Sequence, residues 1–318
     1  MGLVRYRIKK PTHGSGDWLN ARFWDEKGNK RVSASAVAAI YNLHPFVPMD
    51  RYAAEMLSDV PPQPVPPSRA MNRGNFLESG LMDWASEDLQ VPFFTPDEMF
   101  VAESKGGARM IATLDGFFED GDVRKVLEIK TTTRGWDGEL PDYWKLQGIQ
   151  QAICADVDRI HWAIMDPSMD MHIHIQEVTP AEQAEHISAV EKWLNAIDLG
   201  MTPSGVKWSY ETLSIRYPES EPKIVELPDT VDDKLEQLRH VSNLHKDYGE
   251  LKSQLQAEIC EMMGNADTAT RNGVTVATWK GQKRSSLDIK GFKAARPDVA
   301  AEFSKTTTTR VFLLKGAR

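Results

Sequence analysis

Between Met110 and Lys130 the chain reads M-I-A-T-L-D-G-F-F-E-D-G-D-V-R-K-V-L-E-I-K, two apolar runs with charge at set places. Asp115 ends the first run, and Glu128 and Lys130 stand two apart in the second. On a β-strand residues i and i+2 share a face, so Glu128 and Lys130 point one way while Leu127 and Ile129 point into a core. Two carboxylates and an ammonium then meet on one sheet edge, a grouping suited to a divalent metal and a reacting phosphate. The alternative is a surface hairpin whose charges are merely solvated.

Other acidic-x-Lys triplets serve as internal controls. Glu103 and Lys105 run into a Gly-Gly turn, and Glu221 and Lys223 flank Pro222, which a central strand excludes. Glu250 and Lys252 lie in a helical pattern, where residues two apart do not face each other. Glu128-Ile129-Lys130 alone sits in strand-like alternation after a run ending in aspartate.

The rest of the chain orders further motifs around this one. D-W-L-N-A-R at Asp17–Arg22 and V-S-A-S-A-V-A-A-I-Y at Val32–Tyr41 come first, then R-G-N-F-L-E at Arg73–Glu78 in a helical pattern. After Asp115, Glu128 and Lys130 follow Y-W-K-L-Q-G-I-Q-Q at Tyr143–Gln151 and the strand-like R-I-H-W-A-I-M-D at Arg159–Asp166. Over residues 15–200 this series resembles the YqaJ-type viral recombinases, the family of the phage lambda exonuclease, within the PD-(D/E)XK nuclease superfamily.

The resemblance implies an α+β fold, a PD-(D/E)XK core of mixed central sheet flanked by helices. It also implies metal ligation by Asp115 and Glu128, the main-chain carbonyl of Ile129 and the helix carboxylate of Glu78. Lys130 matches the lysine that orients or activates the attacking water, and Gln147 the glutamine of the helix behind the site. Arg22, Ser35 and Thr113 fall where such enzymes hold the 5′ phosphate of a DNA end, and Trp18 and Arg109 match further family positions. The chain departs from the family pattern at Leu114, Thr131, Thr132 and Gln151, the last standing where related nucleases often have tyrosine.

The chemistry asks for these residue types. Phosphodiester cleavage needs a hydroxide, an in-line approach and neutralisation of charge on the phosphoryl oxygens. Magnesium takes hard oxygen ligands and keeps several waters, so two or three carboxylates and a carbonyl suffice, and manganese can substitute. Two ions roughly 4 Å apart could support the attacking and leaving oxygens. Lys130, expected to stay cationic, would act by charge and position before acting as a base. Plainer roles stand beside these. Glu78 fits an exposed helix glutamate, Arg22 can cover Trp18 at i, i+4 spacing, and Ser33 and Ser35 can cap a helix over Ala36–Tyr41.

A chain of 318 residues, 41% of them hydrophobic, can hold one large domain and a smaller one. It shows no apolar run of about 18 residues and no signal-peptide pattern at its start, so no membrane role is expected. Cys154 and Cys260 are the only cysteines, which excludes a disulfide scaffold and a cysteine-ligated iron–sulfur cluster and fits a reducing cytoplasm. The net charge of −8 does not exclude DNA, because local field governs binding. Basic residues from Arg5 to Arg31 supply such a field, with a solvated tail as the alternative for Arg5–Lys10.

Three parts are expected: residues 1–200 as the nuclease domain, 201–228 as a Pro-, Ser- and Glu-rich connector, and 229–318 as a C-terminal extension. Pro61–Pro67 reads as an extended loop before the Glu78 helix. Arg159–Asp166 and Met171–Val178 read as an antiparallel pair with His172 and His174 on its polar face. Thr179-Pro180 opens a helix ending near Gly200. In the extension, apolar residues from Val231 to Ile259 recur at spacings of three and four, predicting a helix of about 33 residues, roughly 50 Å long. A hairpin at Asn272-Gly273, a helical stretch over Asp288–Phe303 and a final strand over Thr306–Leu314 complete it. Arg109, and Lys280, Lys283 and Arg284 beside Trp279, are candidate DNA contacts.

Together these readings point to a magnesium-dependent deoxyribonuclease, and the resemblance implies that it degrades linear duplex DNA from an end, 5′ to 3′, leaving a 3′ single strand for homologous recombination. The resemblance implies a phage or mobile-element origin, a single-strand annealing partner and a homo-oligomer, with trimeric rings known in the family. An endonuclease or a RecB-like nuclease subunit with the same site is the nearer alternative. A non-catalytic DNA-end-binding protein is the farther one.

Overall fold

The computed structural model describes residues 2–60, 63, 64, 66–304 and 310–314. The chain divides into two compact units, residues 1–218 and 219–318.

The first unit is α+β, with two mixed four-stranded sheets flanked by helices. One sheet has the order β1 (Leu3–Lys9), β3 (Glu98–Ser104), β4 (Arg109–Ala112), β2 (Val32–Ser33), with β2 parallel to β4. The other runs β5 (Gly116–Asp120), β6 (Val123–Thr131), β7 (Arg159–Met165), β8 (Met171–Glu177), with β6 parallel to β7. A single central sheet was expected. The chain instead leaves one sheet at Ala112 and enters the other at Gly116, so Thr113, Leu114 and Asp115 form the joint. Glycine suits the entry point, since a Cβ at Gly116 would lie 3.0 Å from the Cβ of its partner Leu127.

Around the sheets lie helices α1 (Gly16–Phe23), α2 (Met49–Leu57), α3 (Arg69–Leu89), α4 (Asp142–Ala155), α5 (Pro180–Asp198) and α6 (Tyr210–Arg216). Strand β6 is covered on both faces. Leu127 and Ile129 pack with Leu81 and Ala85 of α3, whereas Val126 joins the core that holds Ile149 and Ile153 of α4. The solvated-hairpin alternative is therefore excluded, and Glu128 is only 3% exposed. Helix α4 links the parallel strands β6 and β7, the crossover that parallel pairing requires. Strands β7 and β8 pair antiparallel as expected, and α5 begins with the expected Thr179, whose hydroxyl and Glu182 form a reciprocal capping box.

Three expectations need correction. The basic N-terminal stretch is no solvated tail but an edge strand. Arg5 bonds the Ile153 carbonyl and Asp156, and Arg7 lies over the rings of Phe100 and Phe117 and pairs with Glu119. Ser33 and Ser35 cap no helix; the short 3₁₀ turn over Val37–Tyr41 has Ala36 at its N-cap and no side-chain cap. The stretch read as a connector carries α6, fastened to α2 where the Ser209 amide and Thr212 hydroxyl donate to Asp50 at 2.9 and 2.7 Å. In the Pro61–Pro67 loop, positions 61, 62 and 65 lie outside the described residues.

The second unit holds α7 (Asp232–Met263), 32 residues long, then β9 (Thr268–Arg271) and β10 (Val274–Thr278). Asn272 and Gly273, at φ of 53° and 78°, make the two-residue hairpin turn. The helical stretch after Asp288 is broken at Pro297 into α8 (Ile289–Ala295) and α9 (Pro297–Glu302). Of the expected final strand, residues 306–309 lie outside the described residues, and residues 310–314 form no strand.

Gly148 brings α4 close to the sheet. A Cβ there would lie 3.0 Å from the Trp162 ring and would collide with Oε1 of Gln176. Gly148→Val is expected to cost about 1–3 kcal/mol, read as a lower urea midpoint. An unchanged midpoint would contradict this packing.

Candidate active site

The joint between the sheets, the end of β6 and the start of α4 wall one cavity of about 490 Å³. Asp115, Glu128, Lys130, Gln147, Glu78, Arg22, Ser35 and Thr113 all line it, so residues up to 125 positions apart in sequence meet there. Ile129 joins them through its backbone, its N–H donating to Asp115 Oδ2 at 2.9 Å. Lys10, His13, Trp18, Ser33, Asn75 and Thr95 also line it, with the smaller or apolar Ala34, Ile111 and Leu114.

At the acidic end Glu128 is enclosed by donors. Lys130 Nζ lies 2.6 Å from Oε1, which also accepts from Gln147 Nε2, while Oε2 accepts from Gln151 Nε2. The amide of Gln147 is engaged twice, since its Oε1 receives Lys130 Nζ at 3.3 Å. Burial and then the neighbouring Glu128 charge push the Asp115 carboxyl well above the usual aspartate range, although Lys130 opposes this. Glu78 is raised for the same two reasons, with Lys10 and Lys130 opposing. Burial alone would lower Lys130, but the charges of Glu128 and Asp115 outweigh it and raise the ammonium further. Lys130 is thus held as a cation.

These carboxylates suit a hard cation. Among the described residues no three of His, Cys, Asp and Glu are grouped so as to hold a metal ion by themselves. Magnesium does not demand such a group, since it is usually held by one or two carboxylates plus substrate phosphates and keeps several waters. A cation beside Asp115 would also offset the repulsion that raises its carboxyl.

The same cavity also carries a second cationic group. Arg22, one turn after Trp18 on α1, stacks over that ring at 4.1 Å and donates to the hydroxyls of Ser33 and Ser35. Covering Trp18 and facing the cavity are therefore compatible roles. Burial lowers Arg22 to about 10, which leaves it charged at neutral pH. His13 packs edge-on against Trp18 at 4.6 Å, and burial followed by the charges of Arg22 and Lys10 lowers its pKa.

Arg109 does not line the cavity. Its guanidinium donates to the Lys30 carbonyl at 2.7 Å and to Asp198 at 2.7 and 2.8 Å, which ties β4 to α5. Lys280, Lys283 and Arg284 lie in irregular, exposed backbone after β10, in the second unit. Sequence reasoning named neither His13, Asn75 nor Thr95, and it took Lys10 only as part of the basic N-terminal field. Lys10 follows β1, and the pairing of β1 with β3 brings it to the site.

The fold and this cavity define an α+β protein with one polar cavity that carries three carboxylates beside Lys130, Lys10 and Arg22. No family model and no curated protein matches the chain. Among solved structures it is similar to an alkaline exonuclease, LHK-Exo, from Laribacter hongkongensis, at 18% identity and a TM-score of 0.46, covering 58% of this chain and 93% of that one. The same values hold for LHK-Exo in complex with dAMP. A candidate exonuclease from Eubacterium rectale is similar at 14% identity and a TM-score of 0.40, covering 71% of this chain and 97% of that one. At these identities the chemistry of this chain rests on its own side chains.

The raised Asp115 carboxyl has a consequence for stability. The folded state holds that proton more tightly than the unfolded chain does. Stability is therefore lost as pH rises from the ordinary aspartate range toward the raised folded value. Asp115→Asn, which keeps an acceptor for the Ile129 N–H, should stabilise the metal-free protein near neutral pH by roughly 0.5–2 kcal/mol. The gain should vanish below about pH 4, where the unfolded aspartate is also protonated. Urea unfolding at both pH values checks this, and a gain independent of pH would contradict it.

Proposed function

We propose that this protein is a metal-dependent deoxyribonuclease with a PD-(D/E)XK core that degrades linear duplex DNA from an end. The observation that carries the reading is one cavity lined both by carboxylates around Lys130 and by Arg22 with two serine hydroxyls. A phosphodiester needs both, one region for the reacting phosphate and another to hold a neighbouring or terminal one.

In this reading Asp115 and Glu128, with Glu78 and the Ile129 carbonyl, hold magnesium, for which manganese can substitute, as one ion or a pair. The ion, when bound, supplies an activated water and offsets charge on the phosphoryl oxygens. Lys130 orders the water and steadies the anionic phosphate. Gln147 fixes Lys130 and Glu128 relative to each other. Arg22, Ser35 and Thr113 seat the 5′ phosphate, which sets a 5′ to 3′ direction and leaves a 3′ single strand for recombination. The exposed apolar residues of α7, among them Val241, Tyr248, Leu251 and Leu255, support oligomerisation or docking of an annealing protein. Among the described residues no helix is long and apolar enough to cross a membrane.

The test is magnesium-dependent digestion of linear duplexes bearing a 5′ phosphate or a 5′ hydroxyl, with a closed circle as control. Wild type should shorten phosphorylated linear DNA stepwise and spare the circle. Lys130→Ala should lower the rate by on the order of 10²–10³-fold or more. Arg22→Ala should abolish the preference for the 5′ phosphate, at a smaller loss of rate on hydroxyl ends. Cleavage of circles would favour an endonuclease, and DNA binding without cleavage would overturn the enzymatic reading.

A further inference from the structure

Helix α4 sets Gln147 and Gln151 four residues apart, on one face. Both reach Glu128, one at each carboxylate oxygen, but they differ in what else they do. The amide of Gln147 is engaged at both ends, by Glu128 and by Lys130. Gln151 is fully buried and donates its Nε2 to Glu128 Oε2, with a long contact of 3.5 Å to the Thr113 carbonyl. Its Oε1 has no hydrogen-bond partner among the described residues.

A buried carbonyl left unpaired costs about 1–3 kcal/mol, and an apolar side chain of the same length would avoid that cost. Turning the amide over would set Oε1 against the Glu128 carboxylate, so the charge on Glu128 fixes which way the amide faces. The one strong bond of Gln151 therefore goes to Glu128. Its long contact goes to Thr113, in the joint that carries Asp115.

We propose that Gln151 is a positioning residue that orients Glu128 for a divalent cation by holding Oε2 while Lys130 and Gln147 hold Oε1. The inference rests on the metal-site reading above. A glutamate side chain has three rotatable bonds, and a donor on each oxygen leaves it one orientation. An ion then binds without first ordering the carboxylate. Without Gln151, Oε2 loses its donor and the carboxylate is held at Oε1 alone, by Lys130 and Gln147.

The test is calorimetric titration of Mn2+ into wild type, Gln151→Met and Gln150→Met, with circular dichroism to follow the fold. Gln150 is an internal control, equally buried but donating to the Val32 and Ile111 carbonyls instead of Glu128. Gln151→Met should weaken Mn2+ binding on the order of 10- to 100-fold. DNA degradation by this variant should recover at saturating Mn2+. Gln150→Met should unfold at lower urea yet bind Mn2+ as wild type does. If Gln151→Met does not fold, Gln151→Asn, too short to reach Glu128, is read in the same way. Wild-type affinity in the Gln151 variant, or equal losses in both variants, would overturn the inference. Wild type that binds no Mn2+ would overturn the metal reading beneath it.

Discussion

A carboxylate in the middle of a covered strand is costly unless donors surround it, and Glu128 is such a group. Taking an ion from water costs several kcal/mol, which attraction and hydrogen bonds must offset. Here Lys130 lies two residues along the same strand face, and Gln147 and Gln151 reach down from α4. The four residues form one unit. Strand β6 must lie beneath α4, α4 must approach closely enough for its amides to reach, and Gly148 allows that approach. The close packing of this half of the molecule thus serves a single buried charge.

The second constraint is the joint. Asp115 stands where the chain passes from one sheet to the other, outside the regular ladders of both. Its carboxylate is held by the Ile129 N–H, the backbone group between Glu128 and Lys130. The aspartate therefore faces the other two across a gap set by main-chain geometry instead of flexible side chains. The first sheet contributes the rest of the wall. Strand β2 brings Ser33 beside the joint, and α1 places Arg22 over it.

Much of this was legible in the sequence where the signal was local. Period-two alternation located Glu128 and Lys130 and the core side of Leu127 and Ile129. Spacings of three and four found α7, Thr179-Pro180 found α5, and Asn272-Gly273 found the hairpin turn. What depended on distant pairing was not legible. Arg5 and Arg7 read as a free basic arm because their partners, Asp156 and Glu119, are more than a hundred residues away. The division into two sheets was hidden because Ala112 and Gly116 differ in pairing partner and not in local pattern. Gln151 drew notice only as a departure from a family pattern, whereas its bond to Glu128 is a property of the folded helix. Arg109 matched a family position, yet its guanidinium is committed to Asp198 and the Lys30 carbonyl.

The proposed function requires Asp115 and Glu128 to hold a divalent ion together. A crystal of the protein equilibrated with Mn2+, with data collected for anomalous scattering, tests it most directly. An anomalous peak is expected in the cavity within roughly 2–2.5 Å of a carboxylate oxygen of each residue. A cavity without a peak at saturating Mn2+, or a peak held by other residues, would contradict it.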